Sequence, residues 1–330
     1  MNNEEQAYPK IALVVTYFGP FKSDFVFWCR SAQANPEFDF LIFTDHLEQG
    51  MAVAAGAPNI HFFDLDSPTF VVLAQKALSF PCLLPNPYKL CDYKPAYGLI
   101  YAEELKGYDY WGYCDLDLIF GRLTHFLKPE TFGNVDRYYS KGHFCLYANR
   151  LDVNRRFLLP LPSSHVHFQK LMKKPKKDLL SARDCYSSKA EWGFDEIFVE
   201  RLWQEKNFSQ FSSPSDFMDV NEFHYRFRAC ADSRFGQKPL YFVWNNGILQ
   251  AFVAQNQSSP QELMYAHFQK KKLAGSLPRS SWLIVPNEVL EEEGLTRKQK
   301  SHLARRLKPF FMGHQLSRDF QARCRNRKNF

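Results

Sequence analysis

Two carboxylates one residue apart, Asp115 and Asp117, close an apolar and aromatic run, Tyr110-Trp111-Gly112-Tyr113-Cys114. The run reads as a buried strand, and side chains at i and i+2 of a strand share a face. Two carboxylates at the edge of a core are costly unless a positive charge lies between them. A divalent cation carrying a diphosphate supplies that charge and accepts the oxygen ligands on offer. The competing reading is an ordinary turn at a strand end. The same tripeptide also occurs at Asp64-Leu65-Asp66, so its letters alone decide nothing. That copy runs into Ser67-Pro68 and a helical pattern, and its acids read as helix caps or turn residues. The later copy runs into Leu118-Ile119-Phe120-Gly121, with no cap signal.

The elements that would position Asp115 and Asp117 alternate between strand and helix. Ile11–Thr16, Phe38–Thr44, Ile60–Leu65 and Tyr110–Cys114 read as strands. Phe25–Ala34, Thr69–Leu78 and Lys94–Leu105 read as helices between them. This order predicts an α/β fold with a mixed, mostly parallel sheet flanked by helices. Ligands of such sheets bind beyond the carboxyl ends of the strands. Thr16-Tyr17, Thr44-Asp45 and Asp115–Asp117 all fall at those ends. The chain carries neither Gly-x-Gly-x-x-Gly nor Gly-x-x-x-x-Gly-Lys-Ser/Thr, so dinucleotide and P-loop readings lose their main support. The second half is less regular. Tyr138–Asn149 reads as one or two strands, and Asn245-Asn246-Gly247 between two apolar runs is a hairpin signal.

The 330 residues are 45% hydrophobic and 16% aromatic, enough for one large domain or two packed lobes. No stretch approaches the ~20 apolar residues of a membrane span, and no signal-peptide cleavage pattern follows Ile11–Phe18. Eight scattered cysteines without a Cys-x-x-Cys pair read as reduced core residues of a cytoplasmic protein. The net charge is +7, yet Thr296–Phe330 alone holds eleven Lys/Arg against Asp319. Leu303, Leu307, Phe310 and Phe311 interleave with these bases. Such a tail suits an anionic membrane surface, with a helix packed on the body as the alternative and nucleic acid not expected.

Further segments extend the pattern: Pro87-Tyr88-Lys89-Leu90-Cys91-Asp92-Tyr93-Lys94-Pro95, then Gly142-His143-Phe144-Cys145, then His267-Phe268-Gln269-Lys270. With the Asp-x-Asp strand between them, the chain resembles a GT-A-fold glycosyltransferase over Lys10 to Lys272. The likeness is nearest to bacterial sugar transferases of capsule and lipopolysaccharide synthesis. It implies a nucleotide-sugar-binding half over 1–150, an acceptor-side half over 151–285 and a basic helical tail over 286–330. It also implies Mn2+ or Mg2+ on a nucleotide-diphosphate sugar, with Asp117 as direct ligand. Asp115 would be the ribose-side or water-mediated partner, and His267 the later ligand. A neutral imidazole is a sound manganese ligand. The alternative for His267 is a core or surface position after a helix-like Gln261–Ala266.

The resemblance further places Thr16, Tyr17 and Asp45 at the nucleobase. Asp92 would face base or ribose, and Lys89, Lys94 and Lys270, Lys271 or Lys272 the phosphates; for Asp45 and Asp92 ordinary loop capping is the alternative. Lys94, standing before Pro95, is expected in extended chain. Glu191, Asp195 and Glu196 are the candidates for the base that an inverting transfer requires. Asp195 and Glu196 could instead simply open a helix over Ile197–Gln204. The implied reaction moves a sugar, UDP-linked by preference, to a hydroxyl of a glycan or lipid-linked acceptor. The implied location is peripheral, on the inner face of the cytoplasmic membrane. The other functional class is a non-catalytic glycan- or membrane-binding protein on a decayed transferase scaffold.

Overall fold

The computed structural model describes residues 7–163, 167–169, 195–220, 240–253, 260–269, 272–275, 281–285 and 288–291. They fall in two compact units, each discontinuous in sequence. The first spans 1–25, 35–116 and 127–213, and the second spans 26–34, 117–126 and 214–330.

The strands of the first unit are β1 (Ile11–Tyr17), β2 (Phe38–Thr44), β3 (Ile60–Asp64) and β4 (Tyr110–Cys114). After β5 (Leu118–Phe120), which belongs to the second unit, come β6 (Arg137–Lys141), β7 (Phe144–Ala148) and β8 (Gln210–Phe211). They form a seven-stranded sheet in the order β3-β2-β1-β4-β7-β6-β8. β3, β2, β1 and β4 are mutually parallel, while β7 runs antiparallel to both β4 and β6. The expected mixed, mostly parallel sheet is thus present. Its central strands are buried along nearly their whole length, which is why β1 and β4 lack apolar–polar alternation.

Helix α1 (Phe25–Gln33) follows β1, α2 (Leu47–Val53) follows β2, and α3 (Ser67–Leu78) follows β3. The Asp66 carboxylate accepts the Thr69 N–H at 2.9 Å and Pro68 stands in the first turn of α3. The earlier Asp-x-Asp copy is therefore a helix cap, as its context implies. α2 went unread in the sequence because Leu47–Val53 is short and carries an interior glycine, Gly50. No helix spans Lys94–Leu105. Instead, single α and 3-10 turns follow one another from Pro87 to Ile100. Lys94 itself is helical (φ −48°, ψ −46°), not extended. Its N–H bonds to Cys91 O, and this local bond outweighs the steric bias that Pro95 imposes.

β4 packs tightly at one point. Gly112 lies against the Cys145 carbonyl of β7, where a Cβ would have no room. Beside it, Trp111 stacks on Tyr147 at 4.9 Å and donates its indole N–H to Asn154 Oδ1 at 2.7 Å. The last described helix of this unit is α4 (Asp195–Glu205).

The second unit holds β9 (Phe217–Asp219), β10 (Leu240–Asn245), β11 (Ile248–Val253) and β12 (Gln261–Leu263). β13 (Tyr265–His267), β14 (Ser281–Val285) and β15 (Glu288–Glu291) complete it. Five of these strands form an antiparallel sheet in the order β12-β11-β10-β14-β15. The Asn-Gly hairpin is real: Asn245 pairs with Ile248, and Asn246 and Gly247 both take positive φ. Phe27 of α1 meets Trp282 edge to face, Trp282 stacks on Trp244 at 4.2 Å, and Trp28 contacts Phe120. Gln261–Ala266 is not helical but forms β12 and the start of β13, because its backbone groups pair with β11, β5 and β9.

Candidate metal centre

A three-stranded sheet, β5-β13-β9, builds the cluster around His267 within the second unit. β13 is its middle strand. It pairs antiparallel with β5, His267 opposite Leu118, and parallel with β9, His267 opposite Asp219. Just before β5, the Asp117 carbonyl accepts the Phe268 N–H at 2.9 Å. On the other side, His267 O accepts the Val220 N–H at 3.0 Å. Both neighbours are thus locked by backbone, and an acidic side chain flanks the imidazole on each side. The anchoring is apolar: Ile119, Met218, Val220, Ala266 and Phe268 all lie in the core of this unit.

The side-chain geometry is specific. His267 Nδ1 lies 2.7 Å from Asp219 Oδ1, and His267 Nε2 lies 3.4 Å from Asp117 Oδ1. The imidazole is 13% exposed. Asp117 Oδ1 is buried and has no hydrogen bond. A buried, unsatisfied carboxylate oxygen is expensive and calls for a partner. Burial works against a charge on His267, but the carboxylates of Asp117 and Asp219 beside it override that and raise its pKa to about 10. A divalent ion fits the same donors: a carboxylate oxygen and an imidazole nitrogen are the ligand types Mn2+ accepts.

In the first unit Thr16, Tyr17, Asp45 and Asp115 fall at the carboxyl ends of β1, β2 and β4, and Lys94 reaches Asp115. Thr16 Oγ1 hydrogen-bonds the Tyr101 hydroxyl at 2.7 Å. Tyr17 is half-buried and stacks on Phe21 at 5.2 Å. Asp45 Oδ1 accepts the Gly19 N–H at 2.8 Å and pairs with His46 Nδ1 at 2.8 Å. Burial tends to raise the Asp45 pKa, yet these two hydrogen bonds bring it below the usual carboxylate value. Lys89 and Asp92 form a buried ion pair at 2.6 Å, each 2% exposed. Lys94 Nζ bonds Asp115 Oδ1 and Gly142 O, both at 2.6 Å, and lies 5.4 Å from the Tyr113 ring centre. The Asp115 N–H is held by His143 O at 3.0 Å.

The predicted residues thus divide between the units. Asp117 and His267 are brought together in the second, where Lys272 is exposed. Thr16, Tyr17, Asp45, Lys89, Asp92, Lys94 and Asp115 stand in the first, together with Asp195 and Glu196 at the start of α4. Glu191, Lys270, Lys271 and the basic tail after Glu291 lie outside the described residues. Asp219 escaped the sequence reading. Its only signal was an acid at the end of a three-residue strand, and such strands carry too little pattern to be recognised.

No curated protein matches the chain. Among solved structures, mouse xyloside xylosyltransferase 1 in its apo form aligns at 10% identity with a TM-score of 0.39, over 66% of this chain and 89% of that one. The apo form of the glycosyltransferase GlyE of Streptococcus pneumoniae TIGR4 aligns at 11% identity with a TM-score of 0.33, over 63% of this chain and 46% of that one. Both TM-scores lie below 0.5. Residues 13–293 match a family of unknown function, DUF6625, and the chain belongs to that family.

Proposed function

We propose that the chain is a metal-dependent glycosyltransferase that moves a sugar from a nucleotide-diphosphate donor, by preference a UDP-sugar, to a hydroxyl of a glycan or lipid-linked acceptor. The observation that carries this reading is Asp117 Oδ1: buried, without a hydrogen bond and 3.4 Å from an imidazole nitrogen. Asp117 and His267 would hold Mn2+ or Mg2+. A cation bound there would neutralise the charge that builds on the leaving diphosphate. Tyr17 offers a half-buried ring against which a base can stack, and Asp45 offers a carboxylate fixed by Gly19 and His46. Asp115 is the ribose-side partner in this proposal, its orientation set by Lys94.

Asp195 and Glu196 stand in α4, and either is the proposal for a base in an inverting transfer. A place in surface-glycan synthesis at the inner face of the membrane belongs to the same proposal, through the basic tail. No helix among the described residues is long and apolar enough to cross a membrane.

Isothermal titration with UDP and Mn2+ tests the reading. Wild type is expected to bind UDP only when Mn2+ is present, and Asp117→Ala to lose that dependence. Metal-independent binding, or equal binding by Asp117→Ala, would sink it. A donor panel scored by sugar-nucleotide hydrolysis then separates a transferase from a binding protein on a decayed scaffold.

A further inference from the structure

We infer that Asp219 is a positioning residue: its carboxylate holds the His267 ring with Nδ1–H toward β9, so that Nε2 is presented on the side of Asp117. The inference rests on the proposed metal role of His267, but its geometry stands by itself. His267 and Asp219 are paired residues of the parallel strands β13 and β9, so their side chains leave the sheet on the same face. They meet at 2.7 Å, while the opposite ring nitrogen faces Asp117 at 3.4 Å. The shorter contact is the one to Asp219, so Nδ1 is the nitrogen this carboxylate holds, and Nε2 is the nitrogen turned to Asp117.

Asp219 is in turn held from both sides. Met218 and Val220 are 1% and 0% exposed, and Val220 N–H donates to His267 O. Upstream, Met264 N–H donates to the Asp216 carbonyl, which fixes the register of β9 against β13. The backbone that carries the Asp219 carboxylate is therefore fixed beside His267. A carboxylate on the far nitrogen of a ligating histidine fixes the tautomer and makes the ring a stronger ligand.

Two measurements on the full-length chain test this, with Asp219→Ala and Asp219→Asn beside wild type. The first follows the His267 Nδ1–H proton by nitrogen–proton correlation in metal-free protein. Wild type is expected to show a slowly exchanging Nδ1–H. Asp219→Asn keeps it, because the amide oxygen still accepts the bond, and Asp219→Ala loses it. The second titrates Mn2+ by electron paramagnetic resonance of the free ion. Asp219→Ala is expected to weaken binding about 10–100-fold, with Asp219→Asn recovering most of that loss. An Nδ1–H signal untouched by Asp219→Ala, or equal Mn2+ affinity in that variant and wild type, overturns the inference. Absence of Mn2+ binding in wild type, with the Nδ1–H signal behaving as expected, overturns the metal role of His267 and leaves the positioning of its ring intact.

Discussion

Gly121→Ala should damage the stability of the second unit and the cluster around His267 together. Gly121 follows β5 directly, and its N–H donates to Met264 O at 2.8 Å. A Cβ placed there would stand 3.2 Å from Leu249 Cβ and 3.3 Å from the Leu263 carbonyl carbon, with the Leu263 oxygen nearer still. The obstacle is backbone, so no side-chain rotation relieves it. Restoring ordinary contact takes roughly 1 Å of movement between β5 and the β12–β13 segment. Overpacking of this kind costs about 1–3 kcal/mol. The same movement reaches the cluster, because Asp117 enters β5 and His267 ends β13. Metal–ligand distances tolerate only about 0.2 Å, so if Asp117 and His267 hold Mn2+ as proposed, its affinity should fall at least tenfold. Urea denaturation and Mn2+ titration measure the two effects. Gly56→Ala is the control: it has positive φ but open space, so it should cost about 1 kcal/mol of strain and leave Mn2+ binding alone. If Gly121→Ala matched wild type in both assays, the contact between Gly121 and Leu263 could not be what holds β5 against β13.

Acid should weaken the first unit through Asp136. Burial tends to raise its pKa, but Arg150, Arg156 and Ser209 bring it to about 2 from an unfolded value of 3.8. A depressed carboxylate pKa gives stability that is present above the unfolded value and is lost as pH falls toward about 2. The loss is at most about 2 kcal/mol, since Asp136 keeps some exposure. Urea denaturation at pH 6 and pH 3 should show the gap between wild type and Asp136→Asn narrowing at the lower pH; a constant gap refutes the assignment. Arg137 is fully buried, with both Nη atoms unpaired, and lies 5.6 Å and 5.3 Å from the ring centres of Tyr147 and Trp203. Arg137→Met should therefore be neutral or stabilising by about 1 kcal/mol, because an apolar chain escapes the desolvation cost. Trp203→Ala should cost about 3–5 kcal/mol. Thermal unfolding ranks the two, and a strongly destabilised Arg137→Met would overturn that reading.

Local signals served where the chemistry is local. β1, β2 and β4 were legible because continuous apolar runs of that length mark buried strands. The Asp66 cap and the Asn246-Gly247 turn were legible because each is decided by a few neighbouring residues. The segment from Pro87 to Ile100 was not, since its successive single turns follow no period. Gln261–Ala266 was not, since those residues become strands only by pairing with β11, β5 and β9.

The candidate site divides along the same line. By itself the sequence determined that Asp115 and Asp117 end an apolar run and that His267 lies far downstream. A pattern of residue types can mark donors in this way, but it carries no distance between them. The tertiary structure alone decided that β13 lies between β5 and β9, which puts Asp117 and Asp219 on opposite sides of the His267 ring. Strand order in a sheet is set by non-local pairing and shared core burial, and neither is written in any one segment of the chain.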